Sequence, residues 1–171
     1  MHITLLPFFS ASHPVDAPLL ANLARDLETH GLPTRIAPPQ AIPEEAYNPR
    51  RDQYRAESFL HALQPNRNEY LLAVTVCDLY TADYNFVFGL ARPADRTAVI
   101  ALARLVYHGD AASHRQRILK EAVHELGHTF GLGHCPNPNC VMHFSNTLAD
   151  TDRKGSRFCA DCRRRLPLEL V

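Results

Sequence analysis

The spacing of apolar positions changes along the chain, and the changes predict a fold that mixes strands and helices. Short apolar runs bounded by turn-forming residues predict buried strands. Such runs occur over residues 2–9, 34–37, 70–77, 85–91 and 97–105. The last two are joined by a turn-rich link that contains Pro93. We therefore expect a sheet of several strands.

Apolar residues recur at helical spacing in three other stretches, which predicts three helices. The helices are expected over residues 15–30, 51–64 and about 113–130. Gly31 follows the first helix as a C-terminal stop, and Ser113 is the expected N-cap of the third. Residues 38–50 contain four prolines, which predicts a loop. A short fourth helix is expected within residues 158–166.

The length of the chain and the order of these elements predict one domain with two parts. A chain of 171 residues suits a single domain. Residues 1–134 are expected to form an upper part that includes the third helix, and residues 135–171 a small, irregular C-terminal part. The expected fold class is α/β (α+β), with a mixed twisted sheet and backing helices.

Composition and charge narrow the range of partners. The formal net charge is zero at pH 7, so bulk charge gives no reason to expect nucleic acid or an anionic membrane surface as a partner. No apolar run approaches the ~20 residues that span a bilayer. The apolar N-terminus is expected to be a core strand rather than a signal segment, because it lacks a basic start and contains Pro7.

The clearest chemical motif lies in the third predicted helix. Residues 124–128 read His-Glu-Leu-Gly-His, the HExxH pattern. Residues four apart on a helix are neighbours, so His124 and His128 can each place a ring nitrogen on one zinc ion. Glu125 is poorly placed to be a third ligand. It can reach a water at the metal, which is the position of a general base.

A third histidine extends this motif. His134 follows His128 by six residues, a distance that a continuing helix cannot use to bring a third ligand to the metal. Gly131 provides the left-handed conformation that a sharp turn requires. Three histidines leave a fourth position for water, as in catalytic zinc sites. The alternative is a surface helix with scattered histidines, which requires the spacing and the glycine to coincide by chance.

Four of the five cysteines form two close pairs near the C-terminus. They are Cys135, Cys140, Cys159 and Cys162. Their spacing suits a tetrahedral, four-thiolate zinc site, which has no open position and is therefore structural. Two alternatives remain: disulfides in a secreted protein, and a redox pair at residues 159–162. Cys77, in an apolar run, is expected to be a buried strand thiol.

Taken together, these residues resemble a known family. The extended histidine motif is the signature of the metzincin clan of metallopeptidases, in which a Met-turn lies beneath the metal. Met142 is the candidate for that methionine. The immediate succession of His134 and Cys135, and the two cysteine pairs that follow, make the segment similar to the archaemetzincin family. The resemblance extends over residues 68–163.

The resemblance implies a metzincin-like (zincin-like) fold and a zinc-dependent peptidase. It implies two zinc ions per chain, one catalytic and one held by the four cysteines next to it, which would staple the C-terminal part. It also implies that an extended peptide pairs with an edge strand, for which Asn85, Phe86, Val87 and Phe88 are the candidates.

Several functional questions stay open from the sequence. An aminopeptidase mode is possible and needs an acidic group for the amine of the substrate. The alternative from another class is a non-catalytic zinc protein that binds peptides or a protein partner, against which the presence of Glu125 argues. We expect a peptide or protein substrate, a monomer and a cytoplasmic location. His143 is expected to line the site or face solvent rather than bind metal.

Overall fold

A mixed β-sheet forms the centre of the fold. The computed structural model describes residues 2–64, 69–106 and 110–167. The strands in this part of the chain are β1 His2–Phe9, β2 Thr34–Ile36, β3 Gln40–Ala41, β4 Tyr47–Asn48, β5 Gln53–Arg55, β6 Glu69–Thr75, β7 Leu79–Tyr80, β8 Gly89–Arg92 and β9 Thr97–Ala101. The main sheet has the order β2-β1-β6-β9-β8, and β3 pairs with the end of β1. Strands β4, β5 and β7 form a small separate sheet.

The main sheet is parallel except at one edge. Strands β2, β1, β6 and β9 run parallel, whereas β8 pairs antiparallel with β9. In the register of the sheet, Leu72 lies between Leu5 and Ala98. The central strands are apolar at nearly every position because helices cover both faces of the sheet. Strand β8 has a neighbour on one side only and is an edge strand.

Helices pack on the two faces of this sheet. They are α1 Ala17–Thr29, α2 Ala56–Ala62, α3 Ala111–Thr129, α4 Leu148–Arg153 and α5 Ala160–Arg163. Leu23 of α1 and Leu126 of α3 join Leu72 in the larger core. Phe59 of α2 joins Phe8 in a second core on the opposite face. The predicted α/β class, with a mixed sheet and backing helices, is confirmed.

The predicted strand over residues 85–91 is shorter in the structure. Only Gly89–Arg92 forms the edge strand β8. The backbone before it leaves the main sheet, because the N–H of Val87 donates to the carbonyl of Leu79 in β7 at 2.9 Å. The four residues proposed as the substrate edge strand, Asn85 to Phe88, therefore precede that strand, and the prediction of their conformation was wrong.

Other predicted boundaries also shift. The helix expected over 51–64 begins at Ala56, because residues 53–55 pair with β4 and β7 as β5. The third helix begins at Ala111 rather than after Ser113, since the side chain of Asp110 caps it by accepting from the N–H of Ser113 at 2.7 Å.

Differences also occur in the segments with weaker sequence patterns. The loop expected over residues 38–50 contains the short strands β3 and β4. The strand expected over 97–105 ends at Ala101, and the chain turns as the N–H of Leu105 donates to Leu102 O. The C-terminal helix covers Ala160–Arg163 only.

The sequence did not predict α4, which docks on α3. A capping box between Thr147 and Asp150 starts this helix. Arg117 of α3 pairs with Asp152, with 2.6 Å between Nε and Oδ1. Lys120 Nζ donates to the carbonyls of Thr151 at 3.0 Å and Asp152 at 2.9 Å. The C-terminal part is thereby fixed to the middle of α3. Within the described ranges, no helix combines the length and the apolar character needed to cross a bilayer.

Candidate active site

One face of α3 lines a cavity of about 410 Å³ beneath the edge strand. Glu121, His124, Glu125 and His128 lie at positions i, i+3, i+4 and i+7, which share one face of a helix. All four contribute to the wall of the cavity. The opposite wall is formed by residues 86–91. The predicted helix therefore delivers both histidines of the HExxH motif, and its glutamate, to the same space.

A glycine turn brings His134 to this cavity. Helix α3 ends at Thr129, and Gly131 has φ 89°, in the left-handed region. The N–H of Gly131 donates to His128 O at 2.9 Å and that of Leu132 to Gly127 O at 3.0 Å, the hydrogen bonds of a Schellman motif. The chain reverses at this point, and His134 returns to within 4.9 Å of His128, measured between ring centroids.

The three histidines offer nitrogen atoms to a common point. His124 Nδ1 lies 2.8 Å from the carbonyl of Val141, and His128 Nδ1 lies 2.8 Å from that of Leu132. Each Nδ1 must carry a hydrogen to donate to a carbonyl, which leaves the Nε2 lone pairs free. The two Nε2 atoms are 3.1 Å apart. Tetrahedral zinc with Zn–N bonds of about 2.0–2.1 Å separates its ligand nitrogens by ~3.3 Å, so these residues fit zinc.

Burial keeps His124 unprotonated. Desolvation lowers the pKa of this imidazole to about 2, and the nearby ammonium of Lys154 acts in the same direction. Burial also lowers the pKa of His128 and of His134, although His134 is the more exposed of the two. The three rings are therefore neutral at pH 7, the form in which histidine binds a metal.

Glu125 is enclosed between α3 and the edge strand. Burial raises the pKa of its carboxyl group to about 8, and the carboxylate of Glu121, one turn earlier, adds to the effect. A Cβ atom placed on Gly89 would lie only 2.5 Å from Cγ of Glu125. Gly89 thus allows β8 to pass directly over the carboxylate. A divalent cation bound by the histidines would favour the ionised form.

Met142 is fully buried, and its thioether lies against Gly127, between His124 and His128 in α3. The carbonyl of Met142 accepts a hydrogen bond from the N–H of Cys135 at 2.9 Å. The assignment of Met142 to a Met-turn stays a prediction. His143, the next residue, directs Nδ1 at the carbonyl of Cys135, 3.0 Å away, and is not among the three clustered histidines.

The four cysteines near the C-terminus meet in a second cluster beside the three histidines, and each cysteine of the first sequence pair lies next to one of the second. The Sγ atoms lie 3.8 Å apart in the Cys135–Cys159 pair and 3.7 Å apart in the Cys140–Cys162 pair. A tetrahedral site with Zn–S bonds of about 2.3 Å separates its sulfurs by ~3.8 Å, so the four thiols fit zinc. A disulfide requires about 2.05 Å. Cys77, the fifth cysteine, is a buried free thiol as predicted, but it lies two residues beyond the end of β6 rather than in a strand.

Three residues of the site were missed from the sequence. Glu121 could have been found, because it lies one turn before Glu125 on the same helix face. Lys154 gave no signal, since it reaches the site from beyond α4. Phe144 lines the cavity with its ring 5.0 Å from that of His134, measured between centroids.

Comparison with known proteins identifies the family. Residues 30–167 match the family model described as Peptidase family M54. An archaemetzincin of Archaeoglobus fulgidus is 38% identical over 166 residues, which is 97% of this chain and 99% of that protein. The chain belongs to peptidase family M54. An archaemetzincin of Pyrococcus furiosus is 47% identical over 134 residues, covering 73% of this chain and 70% of the relative.

Solved structures of similar proteins agree with this fold. The crystal structure of the Archaeoglobus fulgidus archaemetzincin, complexed with malonate, has a TM-score of 0.87 at 36% identity and covers 97% of this chain and 100% of that one. The zinc-dependent peptidase of Methanocorpusculum labreanum has a TM-score of 0.75 at 31% identity, covering 96% and 100%. The predicted resemblance to archaemetzincins is confirmed, and the protein is an M54 zinc metallopeptidase.

Proposed function

We propose that this M54 peptidase hydrolyses peptide bonds at the three-histidine cluster, with Glu125 as the general base. The observation that carries the proposal is the convergence of three neutral imidazoles beside a buried carboxylate in one cavity. His124, His128 and His134 would hold the zinc ion. When bound, zinc supplies Lewis acidity, which acidifies water and polarises a peptide carbonyl.

Residues of the chain would carry out proton transfer and hold the zinc ligands in place. Glu125 accepts the proton of the attacking water at a carboxylate oxygen and then delivers it to the leaving amine. The carbonyls of Val141 and Leu132 hold His124 and His128 in the tautomer that directs Nε2 into the cavity. Because Glu125 is enclosed under β8, bulk water cannot exchange freely with the proton that its carboxylate holds.

Strand β8 is the proposed binding edge for substrate. Ala101 N–H donates to Phe88 O at 2.8 Å, so Phe88 forms a hydrogen-bonded pair with β9. By the alternation of antiparallel ladders, Leu90 also faces β9, whereas Gly89 and Ala91 turn their backbone groups to the open side. An extended peptide can pair with those groups and would then cross the cavity above Glu125.

An aminopeptidase mode is the second candidate, and the charge of the cavity wall favours it. Apart from Glu121 and Glu125, the wall contains the acidic residues Glu57 and Asp83, and none of the described residues that line it is Lys or Arg. A free α-amine is positively charged at neutral pH and is attracted to such a wall. Cleavage positions distinguish this mode from endopeptidase action.

We further propose a second zinc ion at the four cysteines, where it would fix the segment after His134. Its support is the match of the sulfur separations to a tetrathiolate site. A monomeric state and a cytoplasmic location remain predictions. The second of these is consistent with a site that requires reduced thiols.

The test of function is a mass-spectrometric screen of a peptide library with wild-type protein and the Glu125→Ala variant. We expect wild-type protein to cleave, and the variant to retain zinc but lose about 10²-fold or more of the rate, the usual contribution of general acid–base catalysis. Equal rates would remove Glu125 from the mechanism. A wild-type protein that is loaded with zinc but cleaves nothing would favour a peptide-binding protein instead.

A further inference from the structure

Lys154 and Glu121 form a buried ion pair beside the active-site cavity, which Glu121 lines and Lys154 does not. Lys154 Nζ lies 3.0 Å from Glu121 Oε1, and the two side chains are 0% and 4% exposed. Thr151 donates its hydroxyl to the same carboxylate oxygen at 3.2 Å. The lysine follows α4 and the glutamate lies on α3, so the pair links the C-terminal part to the active-site helix.

Glu121 shares its helix face with the groups that would act at the metal. It precedes His124 by three residues and Glu125 by four, and it lines the same cavity. Carboxylates are themselves good zinc ligands. A free carboxylate at this position would compete with water for the open place on zinc.

Lys154 also contacts His124 without being its hydrogen-bond partner. Its Nζ lies 3.4 Å from His124 Nδ1, but that nitrogen donates its hydrogen to Val141 O. An ammonium is a donor only, so it has nothing to accept from Nδ1–H. Glu121 is therefore the group that compensates the positive charge of Lys154, and Lys154 is the cation that compensates the carboxylate of Glu121.

Docking of α4 does not explain this pair. Arg117 and Lys120 already hold α4 against α3 through an ion pair and two hydrogen bonds. A fully buried pair is poor support for stability, because removing two charges from water offsets most of their attraction. The distinguishing feature of Lys154 and Glu121 is their position at the metal cavity.

We propose that Lys154 is a positioning residue that neutralises Glu121 and retains it in the cavity wall. Glu125 is thereby the carboxylate that acts at the metal, and the fourth place on the zinc stays open to water. The inference rests on the proposed zinc site at the three histidines.

The test measures zinc affinity of the three-histidine site by competition with a chelator, without substrate. Lys154→Met removes the charge but keeps most of the side-chain length. It should bind zinc more tightly, on the order of tenfold, a typical size for changes in the groups around metal ligands. Cleavage of library peptides should fall at the same time. A His128→Ala variant should lose the zinc ion at the three histidines, so the step that disappears from its titration belongs to that site.

The double variant Glu121→Gln with Lys154→Met removes the released carboxylate and should return zinc affinity to the wild-type value. The chain contains only one other lysine, which provides a matched control. Lys120→Met removes two hydrogen bonds to α4, which Arg117 still docks through Asp152, and Lys120 does not line the cavity, so its zinc affinity should not change.

Unchanged or weaker zinc binding in Lys154→Met would overturn the proposal, as would a double variant that stays as tight as the single one. If the ion pair served stability alone, Lys154→Met would bind zinc more weakly, so the direction of the change in zinc affinity distinguishes a positioning role from a stabilising one. If Lys154→Met does not fold, Lys154→Gln is measured instead, with the same expectation, because an amide cannot neutralise Glu121. Absence of peptide cleavage in wild type would count against the proposed function and leave the zinc measurement valid.

Discussion

Gly127, between the two histidines of the HExxH motif, lies against the thioether of Met142. A Cβ atom at this position would overlap Met142 Sδ and would lie 2.9 Å from Cε1 of Phe158. Helix α3 can therefore pack against Met142 only where it has no side chain. Helix propensity disfavours glycine inside a helix by about 1 kcal/mol relative to alanine, so this glycine is explained by the contact rather than by the helix.

Gly127→Ala should therefore destabilise the protein although alanine is the better helix former. Overpacking of a tight core costs about 1–3 kcal/mol. We expect a lower thermal midpoint and weaker zinc binding, because displacement of Met142 also moves the segment that carries His134. Gly133→Ala is the matched control, since a Cβ there meets nothing within 4 Å. Equal stability of the two variants would show that the contact is not tight in solution.

Glu125→Gln should stabilise protein from which the histidine-bound metal has been removed, and more so at higher pH. Burial raises the pKa of Glu125 to about 8 in the folded state, against about 4.3 for an unfolded chain. Folding takes up a proton between these values, so stability falls as pH rises through this window. The gain at pH 7 should be on the order of 3 kcal/mol, and it should vanish near pH 4.

Thermal unfolding of metal-depleted wild type and variant at pH 5 and pH 7.5 checks this expectation. Glu57→Gln is a control on the opposite wall of the cavity, where the carboxylate is more exposed. A difference between wild type and Glu125→Gln that does not change with pH would mean that Glu125 ionises normally in the folded protein.

Ala91→Pro should weaken substrate binding with little effect on the fold. The N–H of Ala91 faces the open side of β8, so proline removes a group available to substrate and leaves the ladder to β9 intact. Loss of a hydrogen bond of about 0.5–1.5 kcal/mol predicts a rise in KM of about 2- to 10-fold. Ala91→Val keeps the N–H and should bind normally.

The contrasting variant on the same segment is Val87→Pro. It removes the hydrogen bond from Val87 to Leu79 O and should lower stability. Unfolding of Ala91→Pro, or an unchanged KM, would argue against peptide binding along β8.

Replacing Cys159 and Cys162 by serine should remove one of two zinc ions and lower the thermal midpoint. A closed thiolate site stabilises the folded state directly, so the loss should amount to at least ~5 °C. Mild chelation should act first on the open histidine site and abolish cleavage while the fold survives. Metal analysis under reducing conditions decides the matter: one zinc ion in fully loaded wild type would contradict the second site.

The candidate active site was predictable because the residues that form it lie close together in the sequence. His124 and His128 need only a helix, and His134 needs only the turn at Gly131, so spacing alone identifies all three. The four cysteines are recognisable for the same reason, since the members of each pair are no more than five residues apart. The central strands β1, β6 and β9 were likewise found as continuous apolar runs, because both sides of the sheet are covered.

Features that depend on distant partners were not predictable. Lys154 is recognisable as part of the site only once α4 is docked on α3, and α4 itself carries too few apolar residues for a periodic pattern. Residues 85–88 look like a strand because Phe86, Val87 and Phe88 are apolar, yet only Phe88 bonds to β9, whereas Val87 pairs with β7 and the segment lines a cavity. In such cases the local sequence pattern predicts that a segment is buried, but tertiary contacts determine its backbone conformation.

The Schellman turn at Gly131 also bears on the order in which the molecule assembles. The three histidines are spread over only eleven residues, from 124 to 134, whereas β1 must find β6 across more than sixty, as in the pairing of His2 with Glu69. Closing a short loop costs little chain entropy and is fast, and pairing of distant parallel strands is slow. The histidine cluster can thus form while the sheet is still incomplete. A metal ion bound at that stage would act as a folding nucleus as well as a cofactor.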